Sequence, residues 1–193
     1  MRGLLIAFEG LDQSGKQTQA ETLAARLSAG GRTVRQLSFP DYETPIGSEI
    51  GRALQGERDY GPDVMQLLYV ANRYERKNEI IRARNAGEVV VCDRYLASSV
   101  AYGEAHGLDG KWLLEIQKHL PQPDITFLLD IAPAVSARRK TQDRDKFERD
   151  MALLARVRDS YLHLITDSWV RLDADRDRGA VAEDVYAAAR TRL

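Results

Sequence analysis

Short apolar runs alternate with longer amphipathic stretches along this chain. Leu4 to Glu9 (LLIAFE) is a compact apolar run and predicts a buried strand. After Lys16, Ala20, Leu23, Ala24 and Leu27 recur at helical spacing, and Gly30-Gly31 stops the pattern. Thr33 to Phe39 predicts a second strand, ended by Pro40. Val64, Leu67, Leu68 and Ala71 begin a long helical pattern that Gly87 ends. Val89 to Cys92 is a third buried strand, Ile125 to Leu129 a fourth and Val170 to Leu172 a weaker fifth. Ala180 to Arg190 predicts a closing helix. Continuously apolar strands separated by helices predict an α/β fold, a parallel sheet covered on both faces.

Composition narrows the reading. At 193 residues the chain suits one domain, expected over 1–193. With 44% hydrophobic and 30% charged residues, collagen, low-complexity disorder and a coiled coil are excluded. The longest apolar run, Leu4 to Phe8, is too short for a membrane span or a signal-peptide core, so no membrane partner is expected. A single cysteine, Cys92, rules out an intrachain disulfide framework and points to a reducing, cytoplasmic setting. The net charge of −1 gives no basic field, so nucleic acid is not expected as a partner. His106, His119, His163 and Cys92 show no zinc-ligand spacing.

Candidate chemistry begins at the first strand-helix turn. Gly10 to Lys16 reads GLDQSGK and fits the phosphate-binding pattern G-x-x-x-x-G-K, with a strand before it and a helix after it as the motif requires. Gly10 and Gly15 let backbone N–H groups close around phosphate oxygens, and the helix N-terminus adds positive potential. The expected nucleotide-binding run is Gly10, Leu11, Asp12, Gln13, Ser14, Gly15, Lys16, Gln17 and Thr18. Gln17 stands where the pattern has the hydroxyl that ligates Mg²⁺, and Thr18 follows it, which leaves the direct metal ligand open. Asp93-Arg94-Tyr95 closes the third strand, at the sheet edge where ligands bind in such folds. An Asp-Arg pair there can hold a metal–phosphate assembly.

Four stretches then make the chain resemble the thymidylate kinase family: FEGLDQSGK (Phe8 to Lys16), FPDY (Phe39 to Tyr42), LLYVANRYE (Leu67 to Glu75) and DRYLASSVAY (Asp93 to Tyr102). PQPDITFLLD (Pro121 to Asp130) adds a weaker fifth. The resemblance implies a three-layer α/β/α P-loop kinase fold with a five-stranded parallel sheet and a short lid near 138–149. It implies an enzyme that moves the γ-phosphoryl group of ATP to dTMP with Mg²⁺, and a homodimer. By the same resemblance, Tyr69 stacks on thymine and Arg73, one helical turn on, donates to a base carbonyl. Phe39 and Pro40 line the site, with a cis bond between them, and the Tyr42 hydroxyl reaches the monophosphate. Arg94 is the main charged clamp on that phosphate, Ser98 and Ser99 read the base edge, and Tyr102 lies under the deoxyribose. Asp12 sits near the sugar and the metal, with Asp93 as a further metal candidate. Asp130 is either a strand-end cap or a metal-supporting carboxylate.

Lys16, Arg94 and Asp12 are the expected catalytic groups outside the lid. Gln13 is neutral at a loop position that carries the catalytic arginine in some family members. The missing charge is therefore expected from the lid, with Arg144 or Arg139 preferred over Arg149 and Lys146. Two other readings use the same phosphate loop. A deoxynucleoside kinase usually carries Glu-Arg-Ser where this chain has Asp93-Arg94-Tyr95. A GTPase-like, non-catalytic switch needs an Asn-Lys-x-Asp guanine motif, which the sequence lacks.

Overall fold

The computed structural model describes residues 2–139 and 150–193. Five strands, β1 (Leu5–Glu9), β2 (Val34–Ser38), β3 (Val89–Asp93), β4 (Ile125–Asp130) and β5 (Trp169–Asp173), form one sheet in the order β2-β3-β1-β4-β5. Every pairing is parallel. Among the described residues the helices are α1 (Lys16–Ala29), α2 (Pro45–Leu54), α3 (Pro62–Asn85), α4 (Leu96–Ala105), α5 (Gly110–Glu115), α6 (Pro133–Arg139), α7 (Met151–His163) and α8 (Arg178–Arg190).

Alternation along the central strands builds the two buried faces. Ile6, Phe8, Val89 and Val91 point to one side and join Ala20, Leu23 and Leu27 of α1 in the larger core, where Phe8 stacks on Phe127. Leu5, Ala7, Val90 and Cys92 point to the other side, against Ile80 and Ala83 of α3 and the fully buried Tyr95. Helices therefore cover both faces, as the continuously apolar strands require. At the amino end of β1, buried Arg84 closes on Asp124 at 2.5 Å, and Asp124 also accepts the Leu5 N–H at 2.7 Å.

The parallel order decides where ligands go. β1 and β3 lie side by side with Phe8 opposite Asp93, so the phosphate loop after β1 and the Asp93-Arg94-Tyr95 turn after β3 emerge together. That is the carboxyl edge of the sheet, where such folds bind ligands.

Candidate active site

The phosphate loop has the backbone its glycines allow. Gly10 has φ +138°, and a Cβ there would come within 2.5 Å of the Leu129 carbonyl oxygen. Gly15, at φ +91°, is the left-handed residue that turns the loop into α1. Lys16 is buried, and its Nζ donates to the loop's own Leu11 carbonyl at 2.7 Å. Burial and nearby Arg94 lower its pKa to about 8, against the opposing pull of Asp12, Asp93 and Glu9. The exposed Gln17 donates to Glu21 at 2.9 Å and brings no hydroxyl to the loop.

Arg94 links the two turns. Its backbone is left-handed at φ 61°, a conformation that costs a non-glycine residue energy and must be held by its surroundings. The hold is explicit. Its backbone N–H donates to Phe8 O at 2.9 Å. One guanidinium nitrogen reaches Gly10 O, Ser98 Oγ and Tyr161 Oη at 3.2–3.5 Å. The other pairs with Asp12 and lies 3.4 Å from Tyr102 Oη. Asp12 receives Tyr102 Oη on its second oxygen at 3.0 Å. Burial would push the Asp12 carboxyl up, but Arg94, Lys16 and the Tyr102 hydrogen bond outweigh it and bring it to about 2. Burial pushes the Tyr102 hydroxyl well above its usual range.

Glu9 organises this cluster from behind. It is 1% exposed and accepts four hydrogen bonds: Tyr95 N–H at 2.9 Å, Ser98 N–H at 3.3 Å, Ser98 Oγ at 2.6 Å and Tyr161 Oη at 3.1 Å. The two N–H groups belong to the start of α4, so a strand carboxylate caps a helix that has no side-chain cap of its own. Ser98 is thus engaged with Glu9 and Arg94.

Beside the loop lies a cavity of about 270 Å³. Asp12, Phe39, Pro40, Tyr42, Tyr69, Arg73, Arg94, Ser98, Ser99 and Tyr102 all line it, which brings together every residue expected around the acceptor substrate. The Phe39-Pro40 bond is cis. Arg73 is 3% exposed; its guanidinium donates to Ser99 Oγ at 2.7 Å and to Tyr69 O at 3.1 Å, and lies over the Phe39 ring at 5.9 Å. The loop carrying Tyr42 is fastened to α3 by fully buried Asn72, which accepts the Asp41 N–H at 2.8 Å and donates to Thr44 Oγ1 at 2.8 Å.

The remaining residues that line the cavity were not expected from the sequence. Leu54, Tyr60, Pro62, Met65 and Gln66 come from α2, from the start of α3 and from the loop between them, and His106 follows α4. The Thr44-Pro45 and Gly61-Pro62 pairs were the available signals, since each opens a helix with proline at its first turn.

Of the lid candidates, Arg144, Lys146 and Arg149 lie outside the described residues. Arg139, at the end of α6, donates to Gln13 O at 3.3 Å, to Ala174 O at 3.0 Å and to Asp175 at 3.0 Å. Ser136, one turn earlier, donates to Asp12 O at 2.7 Å, so α6 sits directly on the phosphate loop. Asp130 is gripped by Arg158 at 2.7 Å and by Arg171 at 2.6 Å, which assigns it to joining β4, β5 and α7.

For a metal, Asp93 offers the clearest donor: its Oδ1 is buried with no hydrogen-bond partner. Both oxygens of Asp12 are engaged by Arg94 and Tyr102. Among the described residues, no three His, Cys, Asp or Glu side chains gather as a protein-only metal cage. One carboxylate supplemented by phosphate and water oxygens is a donor set that suits Mg²⁺.

A sequence model of thymidylate kinases matches residues 8–185. The thymidylate kinases of Dictyostelium discoideum and Homo sapiens are each 32% identical to this chain over 95% of its length, covering 83% and 88% of theirs. That of Plasmodium falciparum is 34% identical over 95% of this chain and 88% of its own. The solved thymidylate kinase of Candida albicans superposes with a TM-score of 0.89 at 30% identity, over 99% of this chain and 92% of that one. With its phosphate loop, its Asp93-Arg94 turn and its substrate-sized cavity in this arrangement, the chain belongs to the thymidylate kinase family.

Proposed function

We propose how this site performs the family's reaction, transfer of the γ-phosphoryl group of ATP to dTMP to give dTDP and ADP. Neither a deoxynucleoside kinase nor a non-catalytic switch is favoured by the family match. The observation that carries the site assignment is the single cavity that joins Tyr69, Arg73, Arg94 and Asp12 beside Lys16.

In this reading the thymine ring stacks on Tyr69, and Arg73 donates to its carbonyl edge. Ser99 holds the Arg73 guanidinium through the 2.7 Å bond. Phe39 and Pro40 close the ring's side, and Tyr42 reaches the phosphate from the loop that Asn72 anchors. Tyr102 lies under the sugar, where it crowds a 2′-hydroxyl. Arg94 clamps the acceptor phosphate, and Ser98 supports Arg94. The triphosphate lies on the Gly10 to Thr18 loop, where Lys16 exchanges the Leu11 carbonyl for phosphate oxygens. An acceptor phosphate is already anionic, so no strong base and no covalent intermediate are required. Catalysis is in-line positioning with charge stabilisation. Mg²⁺, held at Asp93 with phosphate oxygens, would supply further positive charge there. Arg139 fits the lid-arginine role from its place on the phosphate loop, with Arg144 as the alternative.

Residues 1–193 act as one kinase domain. Among the described residues no helix is long and apolar enough to cross a membrane. Val64, Leu67 and Ile81 expose apolar side chains along α3, 38%, 47% and 37% exposed, which supports a homodimer through that helix. The base assignment is tested by Tyr69→Ala and Arg73→Ala. Each is expected to raise KM for dTMP at least about tenfold, the cost of losing a stacked ring or a buried charged hydrogen bond, with KM for ATP unchanged. Unchanged KM for dTMP in both variants places the base elsewhere.

A further inference from the structure

Three of the four residues in the stretch Phe39 to Tyr42 line the cavity, and Asp41 is the one that does not. It stands between two that do, Pro40 and Tyr42. Its polar groups are committed to the helix behind the loop. The backbone N–H donates to Asn72 Oδ1 at 2.8 Å, and the carbonyl accepts from Asn72 Nδ2 at 3.2 Å. Carboxylate Oδ2 receives both Nε and Nη2 of Arg76, at 2.7 and 2.6 Å, and Oδ1 accepts the Glu43 N–H at 3.1 Å.

The grip is one helix face. Asn72, Glu75 and Arg76 lie at i, i+3 and i+4 on α3, and Glu75 takes the Thr44 hydroxyl at 2.6 Å. Arg76 is braced in turn by Glu79 at 3.2 Å. Exposed ion pairs contribute little, but this one is partly buried and its guanidinium is fixed from both sides. On the opposite side the loop meets α2. A Cβ at Gly47 would lie 1.7 Å from the Asp41 carbonyl oxygen, so the first turn of α2 rests directly on that group. One turn on, a Cβ at Gly51 would lie 3.4 Å from the Tyr42 ring, so the ring runs along bare helix backbone. Tyr42 is 52% exposed and is not enclosed by a core. The reach of its hydroxyl therefore follows from where Asp41 sets the backbone before it.

We propose that Asp41, through its pair with Arg76, is a positioning residue for the acceptor phosphate: it fixes the loop so that the Tyr42 hydroxyl meets that phosphate. The inference rests on Tyr42 reaching the phosphate as set out under the proposed function. It gives the one residue of this stretch outside the cavity a part in the reaction. It also gives Arg76, on a helix face otherwise used to tie down the loop, an effect on substrate selection.

The test is a double-mutant cycle read with two ligands. Asp41→Ala and Arg76→Met are made alone and in combination with Tyr42→Phe. For each protein, kcat/KM for dTMP is measured together with the inhibition constant of thymidine against dTMP. Thymidine has the same base and sugar and no phosphate, so it reports any general damage to the cavity. Tyr42→Phe alone is expected to lower kcat/KM for dTMP at least about tenfold, the value of a hydrogen bond to a charged group. Asp41→Ala and Arg76→Met are each expected to lower it at least about fivefold, with the thymidine constant within about twofold of the unmodified enzyme. In the Tyr42→Phe background neither change is expected to cost more than about a further twofold. Arg76→Met leaves Asp41 and its turn to Glu43 in place, so it carries the test if Asp41→Ala does not fold. Thymidine binding weakened as much as dTMP turnover overturns the inference, because Asp41 then supports the cavity as a whole. A loss of equal size with and without the Tyr42 hydroxyl overturns it, as does no loss in folded variants. Tyr42→Phe is the control for the underlying reading: if it leaves dTMP kinetics unchanged, the assignment of Tyr42 to the phosphate fails, whereas a tenfold loss there with none in Arg76→Met removes the Asp41 pair alone.

Discussion

Glu9→Gln is the most informative perturbation of the site's framework. The carboxylate is 1% exposed and accepts four hydrogen bonds, two from the start of α4 and two from the hydroxyls of Ser98 and Tyr161. A hydrogen bond to a charged group contributes about 1.5–3 kcal/mol, and a neutral one about 0.5–1.5 kcal/mol. The glutamine amide keeps an acceptor for one pair of donors and turns a donor toward the other pair, whose hydroxyls can rotate to accept it. The substitution thus lowers about four charge-assisted bonds to neutral ones, part of which is recovered by that rotation. A net loss of about 2–4 kcal/mol is expected, or a fall in Tm of roughly 4–16 °C at about 2–4 °C per kcal/mol for a chain of this size. The same two hydroxyls contact Arg94 at 3.2 and 3.5 Å, so catalysis is affected as well. KM for dTMP should rise and kcat should fall, with KM for ATP nearly constant. Thermal unfolding and steady-state kinetics measure both effects. A Tm within about 1 °C of the unmodified protein, or kinetics for dTMP unchanged within about twofold, refutes the claim that Glu9 holds this cluster.

Other outcomes follow from neighbouring groups. The Asp12 carboxyl is held at about 2 against 3.8, so its contribution to stability is complete above about pH 4 and is lost as pH falls toward 2; Asp12→Asn should flatten that part of the acid-unfolding curve. Tyr102→Phe and Tyr102→Ala should narrow the kcat/KM ratio of dTMP to its ribonucleotide counterpart, and an unchanged ratio in both moves sugar discrimination elsewhere. Asp130→Asn weakens charged bonds to Arg158 and Arg171 and should cost about 2 kcal/mol in denaturant unfolding, with little change in Mg²⁺ dependence. Arg139→Ala should lower kcat at saturating substrates at least about tenfold if it serves as the lid arginine, whose full effect can reach about 10³–10⁵. A smaller loss than that returns the role to Arg144.

The sheet was legible because the three central strands, β1, β3 and β4, are short and almost continuously apolar, with a glycine or proline punctuating most of them. Even the weak run at Val170 to Leu172 proved to be an edge strand, half exposed and therefore less apolar. The helix α3 shows where such reading stops. Its existence follows from the pattern, but Val64 and Leu67, which helped to define the stripe, are exposed, while Gln66, Asn72 and Arg73 are buried. The inward face serves a ligand cavity and the loop beside it, so it is polar where periodicity expects apolar side chains. The phosphate loop and Arg94 were legible because their chemistry is local and their motifs contiguous. The rest of the cavity lining was not, because Leu54, Tyr60, Met65 and His106 converge only once α2, α3 and α4 are packed. Glu9 is a similar case: its four partners lie 86 to 152 residues away in sequence.

The central claim is that the cavity beside the phosphate loop accepts a nucleoside monophosphate, with Arg94 on its phosphate. The most direct measurement is the rate of ADP release with dTMP and with thymidine as acceptors, for the unmodified enzyme and for Arg94→Ala. The account predicts equal amounts of dTDP and ADP from dTMP, no phosphorylation of thymidine, and a loss of at least about a hundredfold in kcat/KM for dTMP in Arg94→Ala, as expected when a charged clamp on the acceptor is removed. Phosphorylation of thymidine at a rate comparable to dTMP, or an Arg94→Ala enzyme that retains most of its kcat/KM, would contradict it.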